Sequence, residues 1–265
     1  MASAQSMLKT ARVLAVVAAA LGVTLAGCAA KRPELVPPTV LVAPYDTTEG
    51  EVLWAVIPPR NESGTSLVDE HAVADAIVAA VQGVRGIRCL PVNRTIEAMR
   101  ALGLDKGITT PGEAERLAQT LGVDGIVAGS VTAWDPYDPP TVGLALALYA
   151  RPGAMSRRNE TMLDPRMLSR AYTDANFLKS NFAGDPTTVA SEHLDARDHD
   201  TLLYLRKYAE GRSSRDSALG WRVHLMSMDL YTRFAAFQTV RRLLDEEWLR
   251  LAKESGERVD KKTEP

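Results

Sequence analysis

The apolar positions in the first half of the chain alternate between two kinds of spacing. Short apolar runs at 40–43 and 52–57 predict β-strands. Apolar residues then recur every three or four positions over 69–81, which predicts an amphipathic helix capped by Ser66 or Asp69. A change between these two periods along one segment indicates strands and helices in alternation.

The alternation continues with a short strand and two more helices. The strand is predicted at 87–92, and Asn93 is expected to cap the helix that follows it. The next helix opens with Thr110 as the cap and Pro111 in the first helical position. Glu113 then completes a capping box, because its side chain can reach back to the backbone of the cap residue.

Two longer apolar runs, at 125–134 and 141–149, predict neighbouring strands and complete the order β-α-β-α-α-β-β. This order indicates an α/β fold with a mixed β-sheet and packed helices. In the second run, bulky Val and Leu alternate with Gly and Ala, so both faces are apolar. We expect a central strand that is buried on both sides; the alternative is one strand of a membrane-inserting hairpin.

The chain beyond residue 150 is more polar. We interpret 151–216 as an irregular, loop-rich segment that contains one helix at 201–209. The last residues, 256–265, are predicted to form a charged tail.

Between these two segments, 217–255 is predicted to form a long amphipathic helix. Its apolar residues fall seven apart and define one stripe: Val223, Leu230, Phe237, Leu244 and Leu251. Such a stripe must pack against something, because a lone helix gains most of its stability from packing. We expect 223–237 to dock on the α/β domain and 244–251 to project towards a partner.

The N-terminus carries the pattern of a bacterial lipoprotein signal. Two basic residues precede an uncharged apolar run, and Leu25-Ala26-Gly27-Cys28 has the form of a lipobox. The apolar run is shorter than the roughly 20 residues of a spanning helix. We expect 1–27 to be a signal peptide, Cys28 to carry acyl chains such as palmitate, and 28–39 to be a Pro-rich tether. An ordinary secretory signal is the alternative.

Composition limits the classes of function. The chain has 31 basic and 33 acidic residues, so no basic excess attracts nucleic acid. Its apolar fraction of 46% is sufficient for a packed core. If Cys28 carries lipid, Cys89 has no partner for an intrachain disulfide, and we interpret it as a small buried apolar residue.

No catalytic constellation is apparent in the sequence, which contains no nucleophile elbow, phosphate-binding loop, paired Cys-x-x-Cys or His-Glu-x-x-His motif. His193 and His199, together with Asp195, could form a weak metal site. Arg197 lies among them and would repel a cation, so a solvated polar segment is favoured. We therefore expect no catalytic residue, no metal and no other cofactor; a metal-dependent hydrolase is the remote alternative.

Two loops carry the candidate partner-binding residues. Arg60 and Asn61 follow the second strand, at a sheet end where loops commonly carry binding groups. The alternative is a turn in which Asn61 and Ser63 bond to their own backbone. The loop between the two long strands carries aromatic and acidic side chains on a Pro-rich backbone, which is typical of a protein-binding patch. The alternative is a plain connection whose aromatics cover the sheet end. Its candidate residues are Trp134, Asp135, Tyr137 and Asp138.

Three stretches of the chain together resemble an envelope α/β module. They are Pro58-Pro59-Arg60-Asn61-Glu62-Ser63-Gly64, Pro91-Val92-Asn93-Arg94 and, most specifically, Leu121-Gly122-Val123-Asp124-Gly125-Ile126-Val127-Ala128-Gly129-Ser130-Val131. Through them, 52–149 is similar to the module shared by the curli-export lipoprotein, the lipoprotein activators of penicillin-binding proteins and the TolB N-terminal domain. The resemblance implies a non-enzymatic periplasmic module, here at 40–150, that binds partners or assembles with itself.

The expected function is that of an accessory or adaptor lipoprotein in cell-envelope biogenesis or export. By resemblance to enterobacterial sorting, Ala29 and Ala30 after Cys28 favour the outer membrane, facing the periplasm. The alternative is a subunit of an oligomeric secretion channel. Curli-type exporters, however, insert two hairpins per subunit into the membrane, and here at most one apolar strand is suitable for such a hairpin. We expect an envelope protein as partner, with self-assembly open and no nucleic acid bound.

Overall fold

The computed structural model describes residues 36–48, 50–151, 155, 186–214 and 217–263, with side chains as far as residue 253. The expected signal peptide, Cys28 and most of the expected tether lie outside these residues. The described helices and strands, in chain order, are β1 (Leu41–Val42), β2 (Val52–Val56), β3 (Arg60–Asn61), α1 (Glu70–Gln82), β4 (Val84–Arg85), β5 (Ile87–Cys89), α2 (Val92–Ala101), α3 (Pro111–Leu121), β6 (Gly125–Asp135), β7 (Thr141–Ala150), β8 (Thr188–Asp195), α4 (His199–Ala209), a 3-10 turn (Gly220–Arg222), α5 (Val223–Met226) and α6 (Met228–Thr263).

The main sheet is mixed, as the sequence predicts, with the strand order β5-β2-β6-β7-β8. β2 is parallel to both β5 and β6, while β7 is antiparallel to β6 and β8. The short strand β3 also runs parallel to β6, so that Arg60 lies opposite Ser130. β1 and β4 form a separate parallel pair. The α/β fold class is therefore confirmed.

Helices cover both faces of this sheet. On one face, α1 and α6 bury side chains of β2, β6, β7 and β8 in a single cluster that includes Trp54, Ile77, Leu146 and Leu243. On the other face, α2 and α3 pack over β2 and β6 around Leu117 and Ile126. This arrangement explains the two-sided apolar pattern of the central strands.

β7 is the central strand that the alternation of bulky and small residues predicts. Its residues from Thr141 to Leu148 are buried, and Leu144, Leu146 and Leu148 contact the α1–α6 side. The small residues allow β6 and β7 to approach closely: a Cβ atom added at Gly129 would collide with the backbone carbonyl of Ala145 and lie 2.8 Å from Leu146 Cδ2. Gly and Ala at these positions thus set the spacing of the pair.

Local signals located most helix ends correctly. Asp69 caps α1 by accepting from the backbone N–H groups of His71 and Ala72, each at 3.0 Å. The capping box of Thr110 and Glu113 is present at α3. The cap predicted at Asn93 is wrong: α2 already begins at Val92, because Pro91 occupies the cap position with extended backbone and makes no side-chain cap.

The prediction of an irregular segment from 151 to 216 needs correction, because it contains the strand β8 as well as the expected helix α4. Within β8, Thr188, Ala190 and Leu194 are buried, while Ser191 and His193 are exposed. The strand was missed because few of its own residues are strongly apolar. Its stability comes from pairing with β7 and from packing under α6.

The long C-terminal helix is confirmed, but it runs from Met228 to Thr263 rather than from 217 to 255, so it includes most of the predicted tail at 256–265. Ser227 has extended backbone (φ −127°, ψ 114°) and separates α5 from α6. The expectation that 244–251 projects is wrong, since Leu243, Leu244 and Leu251 are buried in the same cluster as α1. No helix among the described residues is both long and apolar enough to cross a membrane.

Candidate functional site

The two predicted binding segments lie at the same end of the sheet, which we call the loop end (residues 57–69 and 134–140). The pairing of Asn61 with Val131 fixes the first segment beside β6. The second segment begins where β6 ends, at Asp135. Strand register therefore brings together two loops that are far apart in sequence.

At the first loop, the amide of Asn61 holds the backbone in place. Its Oδ1 accepts from the backbone N–H and the hydroxyl of Ser63, at 3.1 and 2.7 Å, and its Nδ2 donates to the carbonyl of Thr65 at 2.6 Å. The Asn61 backbone N–H donates to Glu70 Oε1 at 3.0 Å. These are the contacts of a turn that the side chain itself stabilises.

Arg60 and Asn61 both line an open groove of about 470 Å³. The groove lies between the end of β2, the start of α1 and the segment after α2. Its charged residues are Arg60, Glu70, Arg100, Asp105 and Lys106, with His71 also at its wall. Three cations and two carboxylates therefore line the groove.

The second loop has one buried and one exposed aromatic residue. Trp134 is half-buried and packs against two apolar clusters, one beneath α1 and α6 and one beneath α4. The Asp135 carboxylate accepts from the backbone N–H of Tyr137 at 3.1 Å. The bond between Asp138 and Pro139 is cis. Tyr137 itself is 73% exposed, and Asp138 beside it is also exposed.

Trp134 and Asp135 therefore fix the loop, whereas Tyr137 and Asp138 are presented to solvent. A protein-binding patch commonly has this division between a supporting base and an exposed aromatic tip. Trp134 packs at the sheet end, as the alternative interpretation expects, and the partner-binding role of the loop stays a prediction.

The histidines are not brought together. His193 is exposed on β8 and lines a groove of about 630 Å³ with Arg242, Arg250 and Lys253, cations that disfavour a bound metal. His199 is exposed at the first position of α4. Within the described residues, no group of three or more His, Cys, Asp and Glu side chains is placed to hold a metal ion.

Cys89 is buried, as predicted, and lies on β5, an edge strand of the main sheet. Burial raises the pKa of its thiol from 9.0 to about 12. The thiol is therefore protonated at neutral pH and unsuited to act as a nucleophile or metal ligand.

The polar feature that sequence reasoning missed is Glu247, which is fully buried on α6. Its carboxylate accepts from the Tyr45 hydroxyl at 3.1 Å, from the Thr188 hydroxyl, and from Arg250 Nε and Nη2 at 2.8 and 2.6 Å. Burial, and then the Glu247 charge, raise the pKa of Tyr45 well above its ordinary value. This cluster joins the N-terminal segment, β8 and α6.

One signal for this cluster was visible in the sequence. Glu247 interrupts the apolar stripe of the long helix, and Arg250 follows it at the spacing of neighbours on a helix. A charge on a buried face requires partners. The sequence could indicate that partners exist, but it could not name Tyr45 or Thr188.

Neither a protein-family model nor a curated protein matches this chain. Three solved structures resemble it over part of its length. Lipoprotein GNA1162 from Neisseria meningitidis is 20% identical with a TM-score of 0.31, and the match covers 48% of this chain and 99% of that one. The LpoB C-terminal domain from Salmonella enterica is 17% identical with a TM-score of 0.32, and the match covers 43% of this chain and 77% of that one. A PelC dodecamer from Paraburkholderia phytofirmans is 14% identical with a TM-score of 0.25, and the match covers 45% of this chain and 69% of that one. At such identities and TM-scores, the likeness carries no statement about function.

Proposed function

We propose that this chain is a lipid-anchored accessory protein of the cell envelope that acts by binding another protein and not by catalysis. In this proposal, Cys28 carries the lipid in the outer membrane, 28–39 is the tether, and the α/β module at 40–150 faces the periplasm. The lipobox motif of the sequence supports the anchor.

The observation that carries the binding role is the exposure of Tyr137 on a fixed loop. Its side chain is 73% exposed, while Trp134 and Asp135 hold the loop backbone. A rigid loop loses little conformational entropy on binding, and Tyr offers a large contact area with few rotatable bonds. We therefore propose the loop end as the partner surface, with Tyr137 and Asp138 at its centre and Arg60 in the adjoining groove.

Site-specific crosslinking in cells tests this proposal. A photoreactive amino acid at Asp138 should capture an envelope protein, and Tyr137→Ser in the same chain should abolish the capture. Loss of one central aromatic typically costs about 2 kcal/mol, or about 30-fold in affinity. The matched control is the same photoreactive residue at Glu115, which is exposed on α3.

Two outcomes would contradict the proposal. One is the same product from position 115 as from position 138, and the other is capture that persists unchanged after Tyr137→Ser. Because Tyr137 is exposed, its replacement should change the free energy of unfolding by less than about 0.5 kcal/mol, so misfolding would not mimic lost binding.

A further inference from the structure

Helix α4 presents two large apolar side chains to solvent on a face that also carries cations. Leu203 is 49% exposed and Tyr204 is 47% exposed. Arg206 and Lys207 are also exposed, and we call these four residues the α4 face. By helix geometry, Leu203 and Lys207 lie at the middle of the exposed half of the helix, whereas Tyr204 and Arg206 lie at its two edges. The opposite side of the helix is buried, with Leu205 packed in a cluster that includes Tyr231 and Phe234 of α6.

Two acidic residues, Asp200 and Glu210, lie at the ends of the α4 face and leave its centre apolar and basic. Nothing in the fold of the described domain requires Leu203 or Tyr204 to be apolar. Helices that lie at a membrane surface combine these features: apolar bodies on one face and Arg or Lys beside them.

The start of the described chain is bound next to this helix. Arg212, just beyond α4, stacks over the ring of Tyr208 with its guanidinium carbon 4.4 Å from the ring centroid. Its Nη2 donates to the carbonyl oxygen of Thr39 at 3.2 Å. Val40, which follows, is 58% exposed. The segment that comes from the proposed anchor therefore joins the folded domain beside the C-terminal end of α4.

The length of that segment limits the distance between α4 and the membrane. Cys28 and Thr39 are separated by about 11 residues, which span at most about 40 Å when fully extended. A tether of this length gives the α4 face an effective concentration at the bilayer in the millimolar range, sufficient for a surface that would bind only weakly by itself.

We propose that the α4 face rests on the lipid surface to which the chain is anchored. Leu203 and Tyr204 enter the boundary between headgroups and acyl chains, and Arg206 and Lys207 contact lipid phosphates. This inference rests on the proposed lipid anchor at Cys28. The inference also orients the domain, because the exposed side of α4 then faces the membrane.

Fluorescence quenching on the full-length lipoprotein, purified from membranes and reconstituted in phospholipid vesicles, tests the inference. A single cysteine is introduced by Tyr204→Cys and labelled with an environment-sensitive dye. Lipidated Cys28 has no thiol, and buried Cys89 should not react. The matched control is Glu115→Cys on the exposed side of α3, which packs on the other face of the sheet.

A quencher carried on lipid acyl chains should reduce the emission at position 204 at least about twofold and leave position 115 unchanged. Vesicles that float with the protein but leave the label at 204 unquenched would overturn the inference and leave the anchor standing. A blue-shifted label without lipid quenching would also overturn it, because it would show a protein contact. Protein that fails to float would overturn the anchor, and the inference with it.

Discussion

At the scale of single residues, Glu247 is the most consequential side chain among those described. It is buried, and Tyr45, Thr188 and Arg250 all donate to it. We expect Glu247→Ala to lower the free energy of unfolding by about 3–5 kcal/mol, because it removes a buried charged acceptor from the Arg250 cation and from two hydroxyls.

Glu247→Gln should cost less, about 1–3 kcal/mol, since the amide keeps the shape and one acceptor oxygen. Urea denaturation of both variants measures the difference, with Glu115→Gln on the exposed side of α3 as the control. A negligible cost for Glu247→Gln would show that the charge of Glu247 has no role in the cluster, and equal costs for Ala and Gln would show that the retained amide oxygen contributes nothing.

Cys89 makes the stability of the protein depend on alkaline pH. Burial raises the pKa of its thiol from 9.0 to about 12 in the folded state. The unfolded chain therefore loses the thiol proton first, so stability is complete below pH 9 and falls as the pH rises towards 12. The slope approaches about 1.4 kcal/mol per pH unit for one such group.

We expect Cys89→Ala to flatten this alkaline decline, whatever its effect on stability at pH 7. Urea midpoints measured under reducing conditions between pH 7 and 10 would test the expectation. Burial also raises the pKa of Tyr45 and Tyr231, which adds to the decline above pH 10 in both proteins. Parallel curves for variant and wild type below pH 10 would contradict the assignment to Cys89.

At the scale of elements, the pairing of β6 with β7 depends on Gly129. A Cβ atom there would collide with the Ala145 carbonyl and approach Leu146 Cδ2 to 2.8 Å. We expect Gly129→Ala to lower the melting temperature strongly, because backbone cannot yield as a flexible side chain can. Gly112→Ala in α3, where no atom lies within 4 Å of the added carbon, is the matched control and should be neutral or stabilising.

The length of α6 leads to a second prediction at this scale. Truncation after Ala236 removes Val240, Leu243, Leu244 and Leu251 from the apolar cluster beneath α1 and α6. It also removes the buried carboxylate of Glu247. We expect a chain that fails to fold, not one that is modestly destabilised. Truncation after Lys253 keeps these side chains and should melt within a few degrees of the full chain. Thermal melts by circular dichroism distinguish the two outcomes.

At the scale of the whole molecule, the proposed anchor determines where the protein is found. Replacement of Cys28 by Ser removes the atom to which lipid would be attached, so we expect the variant to leave the membrane fraction. A single acyl chain binds only marginally, whereas two or more hold a protein firmly. Flotation after a high-salt wash measures the change, and a Cys28→Ser protein that still floats would refute the anchor.

The sequence predicted correctly those features that depend on residues close together in the chain, and it missed those that depend on distant residues. The capping box at Thr110, the cap at Asp69 and the two-faced pattern of β7 depend on neighbouring residues, and all three are confirmed. β8 could not be predicted, because the apolar contacts that stabilise it belong to β7 and α6.

The candidate site shows the same limit. The sequence drew attention to both loops, but only the strand register shows that they share one end of the sheet. The sequence also could not assign separate roles to neighbouring side chains. Asn61 makes the hydrogen bonds of the turn, whereas the side chain of Arg60 is exposed. Trp134 supports the loop, whereas Tyr137 is presented to solvent.

The contact between Tyr45 and Glu247 joins positions that are 202 residues apart. During synthesis, the first of these leaves the ribosome long before the second exists, so an unfinished chain cannot complete the apolar cluster beneath α1 and α6. On the proposed route to the envelope, this order is an advantage, because a chain that cannot finish folding early is easier to thread through an export pore. This side of the sheet is then covered only after the last helix has arrived on the far side.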